Sequence, residues 1–410
     1  MTRREINTAL RFLAFAAIIA AIAAGCGKPS DKEPSAEDAQ TLASAGTGMP
    51  DTKWYADNPE ADTFYIYNAD QLAGVAELVN GVEYDFDADG TRIRKDAEGE
   101  NRAADFEGKT VIMANDISLS AYGKGAAFNG GNGWIPIGTT LGDRANFRGV
   151  FDGNGKKITG LYIRADSLDD VGLFGAARLV KNLGVIDVDI TGDLKVGGVT
   201  GSGSVENCYV TGAVSGRAQV GGVAGQADVI NSYSSCTVSG TYSVGGVVGY
   251  VWADRVTNCY STGVVSGSES VGGVVGMARS YIGSRRAPKY GKGPNRSAYY
   301  LDGVVENCAA LNPSVNSLCL NAGRVVGRIE VKPVTLSNNA AFSGLANVAG
   351  NTVWPAIGAE DRNGIDITAE DILTDGTFGG RFKAENGWTV EKGKLPGLGG
   401  KAVEIPVHLR

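Results

Sequence analysis

The chain has 410 residues, 60 of them glycine and one of them histidine, and a formal net charge of −7 at pH 7. Glycine at roughly twice its usual share of about 7% requires frequent tight turns, and 43% hydrophobic residues with 8% aromatics exclude disorder throughout and predict a core of Val, Ile, Leu and Ala. The acidic balance argues against nucleic acid as a partner, and a lone histidine, His408, two residues from the C-terminus, is a poor footing for a histidine-dependent nucleophile.

Arg3, Arg4 and Arg11 flank the start of an apolar run, Phe12 to Ala24, that ends in IAAGC at Cys26. A basic head, a short apolar run and small residues before the cut read as a secretory signal over residues 1–25, too short to span a bilayer. The ending resembles the lipobox of bacterial lipoproteins, which implies that Cys26 is lipidated and holds the mature protein on a membrane. Loss of Arg3, Arg4, Arg11 and Glu5 with the signal moves the formal charge from −7 to −9. Residues 26–52 mix Pro, Ser, Gly and charge without apolar periodicity and read as a flexible tether.

Residues 53–145 read as an N-terminal cap and lead-in of small α/β character. Asn68 is placed to cap a helix with apolar residues Leu72, Val75, Ala76, Leu78 and Val79, which would cover the open edge of a first coil. Within DFDADGTRIRKD, Asp85, Asp87 and Asp89 alternate before Gly90, and Asp96 falls at the twelfth position. That matches the opening of a calcium loop, with hard oxygen ligands ahead of a sharp turn. Asp in place of the closing Glu, and the neighbouring Arg92, Arg94 and Lys95, leave a solvated acidic loop as the other reading.

Residues 146–345 repeat. VGLFG at Val171 is followed by VGGVTG at Val196, VGGVAG at Val220 and VGGVVG at Val244 and Val271, in steps of 25, 24, 24 and 27, and AGRVVG at 322–327 is a degraded copy. Interleaved phrases carry Asn182, Asn207, Asn231, Asn258, Asn307 and Asn338. A unit of about 24 residues with no helical stripe is too small to bury its own apolar face, so copies must stack. This predicts an all-β fold, a parallel β-helix (β-solenoid), with one coil per repeat and like side chains in ladders about 4.8 Å apart. The valines fill the interior, and the paired glycines either turn with positive φ or press against the neighbouring coil. The asparagines suit left-handed corners, or their amides satisfy freed backbone groups. Cys208, Cys259 and Cys308 share one rung. Cys208 and Cys259 are two coils apart, too far to bridge, and Cys259 and Cys308 are neighbours for which buried free thiols are favoured over a disulfide.

Between Ala278 and Asp302 the repeat is interrupted by about 25 residues carrying Arg279, Arg285, Arg286, Lys289, Lys292 and Arg296 against Asp302, with Tyr281, Tyr290, Tyr299 and Tyr300 interleaved. Loops projecting from a regular scaffold carry binding function, and Arg with Tyr suits contact hot spots or anionic sugars. Arg285, Arg286, Lys289, Tyr290, Tyr299 and Tyr300 are therefore the candidate ligand-binding residues, against the alternative of a variable solvated loop. Residues 346–410 read as a C-terminal cap, with Thr368 and Asp371 close to a capping box.

The Val-Gly phrases resemble those of proteins carrying the GLUG motif. The likeness extends to FYIYNADQLAGVAELVN, GKTVIMANDISLS, GWIPIG and FRGVFDGNGKKITGLYI ahead of them and to NGWTVEKGKLPGL behind. The resemblance implies a β-helical exported or surface protein, often adhesive, without naming a ligand. Some immunoglobulin A1 metallopeptidases carry such repeats, but their zinc site needs a His-Glu-x-x-His that this chain lacks. The expectation is a monomeric, lipid-anchored, surface-displayed solenoid, with no catalysis, that binds a glycan or a host or cell-surface protein. A polysaccharide-acting lyase or hydrolase working through paired carboxylates, or a purely structural envelope protein, is the alternative.

Overall fold

A computed structural model of the protein describes residues 46–81, 83–86, 92–95, 104–139, 146–284, 298–319, 321–330 and 333–410. Cys26 and most of the tether lie outside them. Each regular coil passes through three parallel sheets, of 12, 13 and 5 strands among the described residues. The phrase valines stack in register in the smallest sheet, Val196 beside Val220, Val220 beside Val244 and Val244 beside Val271, with Ala322 next. The valine that follows the glycine pair forms a second interior ladder of Val199, Val223, Val247, Val274 and Val325, all fully buried. Val205, Val229, Val256, Val305 and Leu336 form a third.

The backbone decides between the two roles foreseen for the glycines. None of the pairs from Gly197 to Gly273 has positive φ; the residue ahead of each phrase takes the left-handed corner instead, at Asp170, Lys195, Gln219, Ser243 and Ser270, with φ between 53° and 59°. The glycines are there for close approach. A Cβ on Gly222 or Gly246 would collide with the carbonyl oxygen of the glycine one coil on, Gly246 or Gly273. The asparagines form the other left-handed corner, φ 49° to 55° from Asn182 to Asn338, a conformation their short polar side chain tolerates.

The stack reaches beyond 146–345 in both directions. Strands Thr63–Ile66, Thr110–Met113 and Phe147–Asp152 join the 12-stranded sheet ahead of Phe174–Lys181, and Ile365–Ile367 pairs in parallel with Ala340–Phe342. The lead-in segments are thus coils themselves. The helix Ala69–Asn80 forms as expected. Asn68 Oδ1 accepts from Gln71 N at 3.0 Å, Gly81 ends the helix at φ 67°, and Leu72, Val75, Ala76 and Val79 are buried in the main core, with Leu78 partly so.

The C-terminal region departs from the expected end cap. Arg362 O accepts from Val325 N and Val326 N, and Ala359 O accepts from Asn339 N, so the stretch around residue 360 does cover the last coil. After the helix Ala369–Asp375, whose Thr368–Asp371 capping box is present, the chain runs back along the 13-stranded sheet. Asn307 Nδ2 donates to Arg381 O at 2.8 Å, and Tyr260 Oη to Pro396 O at 2.5 Å. His408 Nε2 donates to Leu311 O at 2.7 Å. His408 is therefore held against the sheet, not on a frayed tail, and Leu409 beside it is fully buried. Tyr260, Phe378, Phe382, Trp388, Leu395 and Leu398 belong to a second core beneath this brace. Its floor is a stack of Tyr209, Tyr233 and Tyr260, with ring centroids 5.1 and 4.9 Å apart and planes 10° and 2° from parallel.

Cys208, Cys236, Cys259 and Cys308 are buried free thiols, and Cys319 is exposed and free. Cys259 and Cys308 are unbridged. Burial pushes the thiols of Cys208 and Cys236 up to about 12, which makes them inert.

Gly246→Ala should lower stability by about 1–3 kcal/mol through backbone collision, read as a lower urea midpoint. Trp388→Ala, which empties a site 2% exposed, should cost about 3–5 kcal/mol within the brace, read as faster hydrogen exchange over 377–410 with coil amides around Val223 unchanged.

Candidate ligand-binding face

The interruption after Val271 leaves the stack as an antiparallel hairpin, Tyr281–Ser284 against Ala298–Leu301, and the chain re-enters the sheet at Gly303–Glu306. Tyr299 and Tyr300 lie opposite Gly283 and Ile282 in its second strand. Arg285, Arg286, Lys289 and Tyr290 fall outside the described residues.

The root of the hairpin is an aromatic and cationic surface that the sequence reading did not single out. Trp252 and Arg279 are register partners on adjacent strands of the 12-stranded sheet, and the Arg279 guanidinium sits 5.9 Å from the Trp252 ring centroid. Tyr281 meets Trp252 at 6.0 Å with planes tilted 58°. These rings are open to solvent, Trp252 at 43% and Tyr281 at 37% exposure, beside Leu301 at 53%. Arg279 is oriented by Glu330 at 3.4 Å, and Arg328 by Glu269 at 3.0 Å and Glu330 at 3.9 Å. Exposed aromatic faces with a fixed guanidinium bind sugar rings and planar or anionic groups. The 27-residue spacing from Trp252 to Arg279 equals the local repeat step from Val244 to Val271, the one sequence signal that places them side by side.

Two carboxylates adjoin this surface. Asp254 Oδ2 accepts from Trp252 N at 3.1 Å, and Asp228 Oδ1 from Arg255 N at 2.6 Å. Burial pushes the Asp254 carboxyl up to about 6, aided by the Asp228 charge and opposed by the Trp252 N–H and the Gln226 amide. Tyr250, 6% exposed, is pushed up by burial and held back by the charge and hydrogen bond of Arg279.

For the proposed calcium loop, the described backbone is a hairpin, Glu83–Phe86 against Arg92–Lys95, with Asp85 opposite Ile93. Asp87, Asp89 and Asp96 lie outside the described residues. Among the described residues no group of three His, Cys, Asp or Glu is placed to hold a metal ion, and no helix is long and apolar enough to cross a membrane.

Stacked parallel coils with side loops define this molecule as a β-solenoid. It carries the GLUG motif, whose family model matches residues 240–266, the coil that contains Trp252 and Asp254. Over 121 residues, 28% of the chain, it is 35% identical to halomucin of Haloquadratum walsbyi, of which the match covers 1%. Over 113 residues, 25% of the chain, it is 38% identical to a protein of Evansella cellulosilytica named as a candidate Gly-rich membrane protein, of which the match covers 12%. The chain thus spans only a small part of these relatives. A crystal structure of a candidate immunoglobulin A1 protease from Bacteroides ovatus shares the fold, with a TM-score of 0.51 at 17% identity over 83% of this chain and 91% of that one.

Because the folded Asp254 carboxyl titrates above its unfolded value of about 3.9, the folded state binds the proton more tightly and stability falls as pH rises from about 4 to about 6. Asp254→Asn should flatten that part of the stability–pH curve, and carboxyl NMR of the unmodified protein should give a midpoint near 6 for this residue.

Proposed function

We propose that this protein is an exported, monomeric, lipid-anchored solenoid that binds a glycan at the lateral face formed by Trp252, Arg279 and Tyr281, without catalysis. The carrying observation is the solvent-open pair of aromatic rings with a guanidinium over one of them, at the root of the only long insertion in the regular repeat. The basic, tyrosine-rich sequence of that insertion favours an acidic glycan or an acidic cell-surface protein bearing one. The membrane protein named among the relatives supports export, as does the lipobox-like ending at Cys26. The anchor and tether would then hold the rod at a surface and leave its sides free.

A second reading, a polysaccharide-acting enzyme, is favoured by the raised Asp254 carboxyl beside Asp228, since glycan cleavage uses one protonated and one ionised carboxyl. Acidic and neutral polysaccharides incubated with the purified mature chain distinguish the two. The binding reading expects retention without new reducing ends or unsaturated products, and at least a tenfold loss of affinity in Trp252→Ala and in Arg279→Ala. Turnover that disappears in Asp254→Asn would establish the enzyme in its place.

A further inference from the structure

One strand position at the C-terminal end of the rod is left open. Asn182, Asn207, Asn231, Asn258 and Asn307 each donate their backbone N–H to a carbonyl of the following coil, on Glu206, Ile230, Thr257, Glu306 and Ser337. Asn338 N has no such acceptor among the described residues. The strand before it, Val334–Ser337, pairs with Gly303–Glu306 on one side and with no described strand on the other. The chain that follows covers this end by cutting across it, without adding a strand there. Arg362 O takes the N–H groups of Val325 and Val326, Ala359 O takes that of Asn339, and Ile365–Ile367 rejoins the 13-stranded sheet.

The bypassed edge opens into a groove. Ile329, Val334 and Leu336 line one side of it, and Ala356, Glu360 and Asp361 the other. Ser337 O is directed back to Asn307 N, so the N–H and C=O of its neighbour Leu336 face the open side, as Asn338 N does. Pro333, with no N–H to offer, ends the open edge at its start. An unpaired row of this kind is a template for one more strand.

The surroundings select the occupant. Side chains alternate along an added strand, and one of them would lie over Leu336, extending the ladder of Val205, Val229, Val256 and Val305 by an apolar rung. Glu360 and Asp361 on the far wall, and Glu306 beside the edge, have no ion-pair partner among the described residues. Arg362, the basic residue of the lining, is turned to Gly327 O at 2.8 Å. Such a rim attracts basic groups and repels acidic ones. It also disfavours a second copy of this chain: two such rims repel each other, and at the opposite end the first strand, Thr63–Ile66, carries Trp54 and Tyr55 packed on Phe64 at 5.3 and 5.2 Å. We propose that Val334–Ser337 accepts an extended peptide of alternating apolar and basic residues, supplied by another protein, as an additional strand at a site separate from the Trp252 face.

The test is fluorescence anisotropy of a fluorescein-labelled Lys-Val-Lys-Val-Lys peptide titrated with the purified mature chain. Binding should be saturable and should weaken about tenfold or more when both valines are N-methylated, which removes backbone donors and leaves the protein untouched. The double substitution Glu360→Lys with Asp361→Lys, at exposed positions, should weaken it about tenfold or more and favour Glu-Val-Glu-Val-Glu instead. Trp252→Ala should leave the affinity unchanged, so this result stands or falls apart from glycan binding. Absence of saturable binding, equal affinity for the N-methylated peptide, or no effect of the charge reversal would overturn the assignment. So would sedimentation showing dimers of the unmodified chain that the peptide dissociates, since a second copy would then be the occupant.

Discussion

The structure depends on how closely neighbouring backbones meet at the Val-Gly-Gly corner. Where Gly222, Gly246 and Gly273 succeed one another, no Cβ fits between a coil and the next, and the preceding Gln219, Ser243 and Ser270 turn through the left-handed region to bring the chain there. That contact holds these coils in register on one another, where a parallel strand displaced by one residue would turn its valines outward. The valine ladders follow from it. So do the outer rows, which is how Trp252 comes to lie beside Arg279 although neither belongs to the repeated phrase.

The asparagine corner and the brace form a second, coupled system. Tyr209, Tyr233 and Tyr260 stack because one rung recurs, and stacking three large rings on the outside of a sheet leaves an apolar strip that needs cover. Phe378, Phe382 and Trp388 supply it. Arg381 ties the brace to the corner residues, donating to Asn338 O at 3.1 Å and Oδ1 at 3.2 Å while its own carbonyl accepts from Asn307. The asparagine corner and the apolar strip thereby share one covering segment.

Much of this was legible in the sequence where a residue's role repeats or is local. The valine period gave the coils, Asn68 gave the N-terminal helix, Thr368 with Asp371 gave the capping box, and the shared rung of Cys259 and Cys308 gave neighbouring thiols. The choice between turning and close packing for the glycine pairs was not legible, because both demand the same residue. The path of the last 35 or so residues was hidden as well, since Trp388 and His408 meet partners far away in sequence and no local pattern encodes them. The Trp252 surface was not legible because outward positions differ from coil to coil, so Trp252 carries no signal of its own that sets it beside Arg279 and Tyr281.

The brace also sets an order of assembly. Coils can add one upon the next through contacts about 24 residues apart, a local process, whereas the Tyr260–Pro396 hydrogen bond closes across 136 residues. A chain made N-terminus first therefore completes its rod while Tyr233 and Tyr260 are still bare. Until the last segment arrives, that naked aromatic strip is the part of the nascent molecule most exposed to capture by chaperones or by other chains.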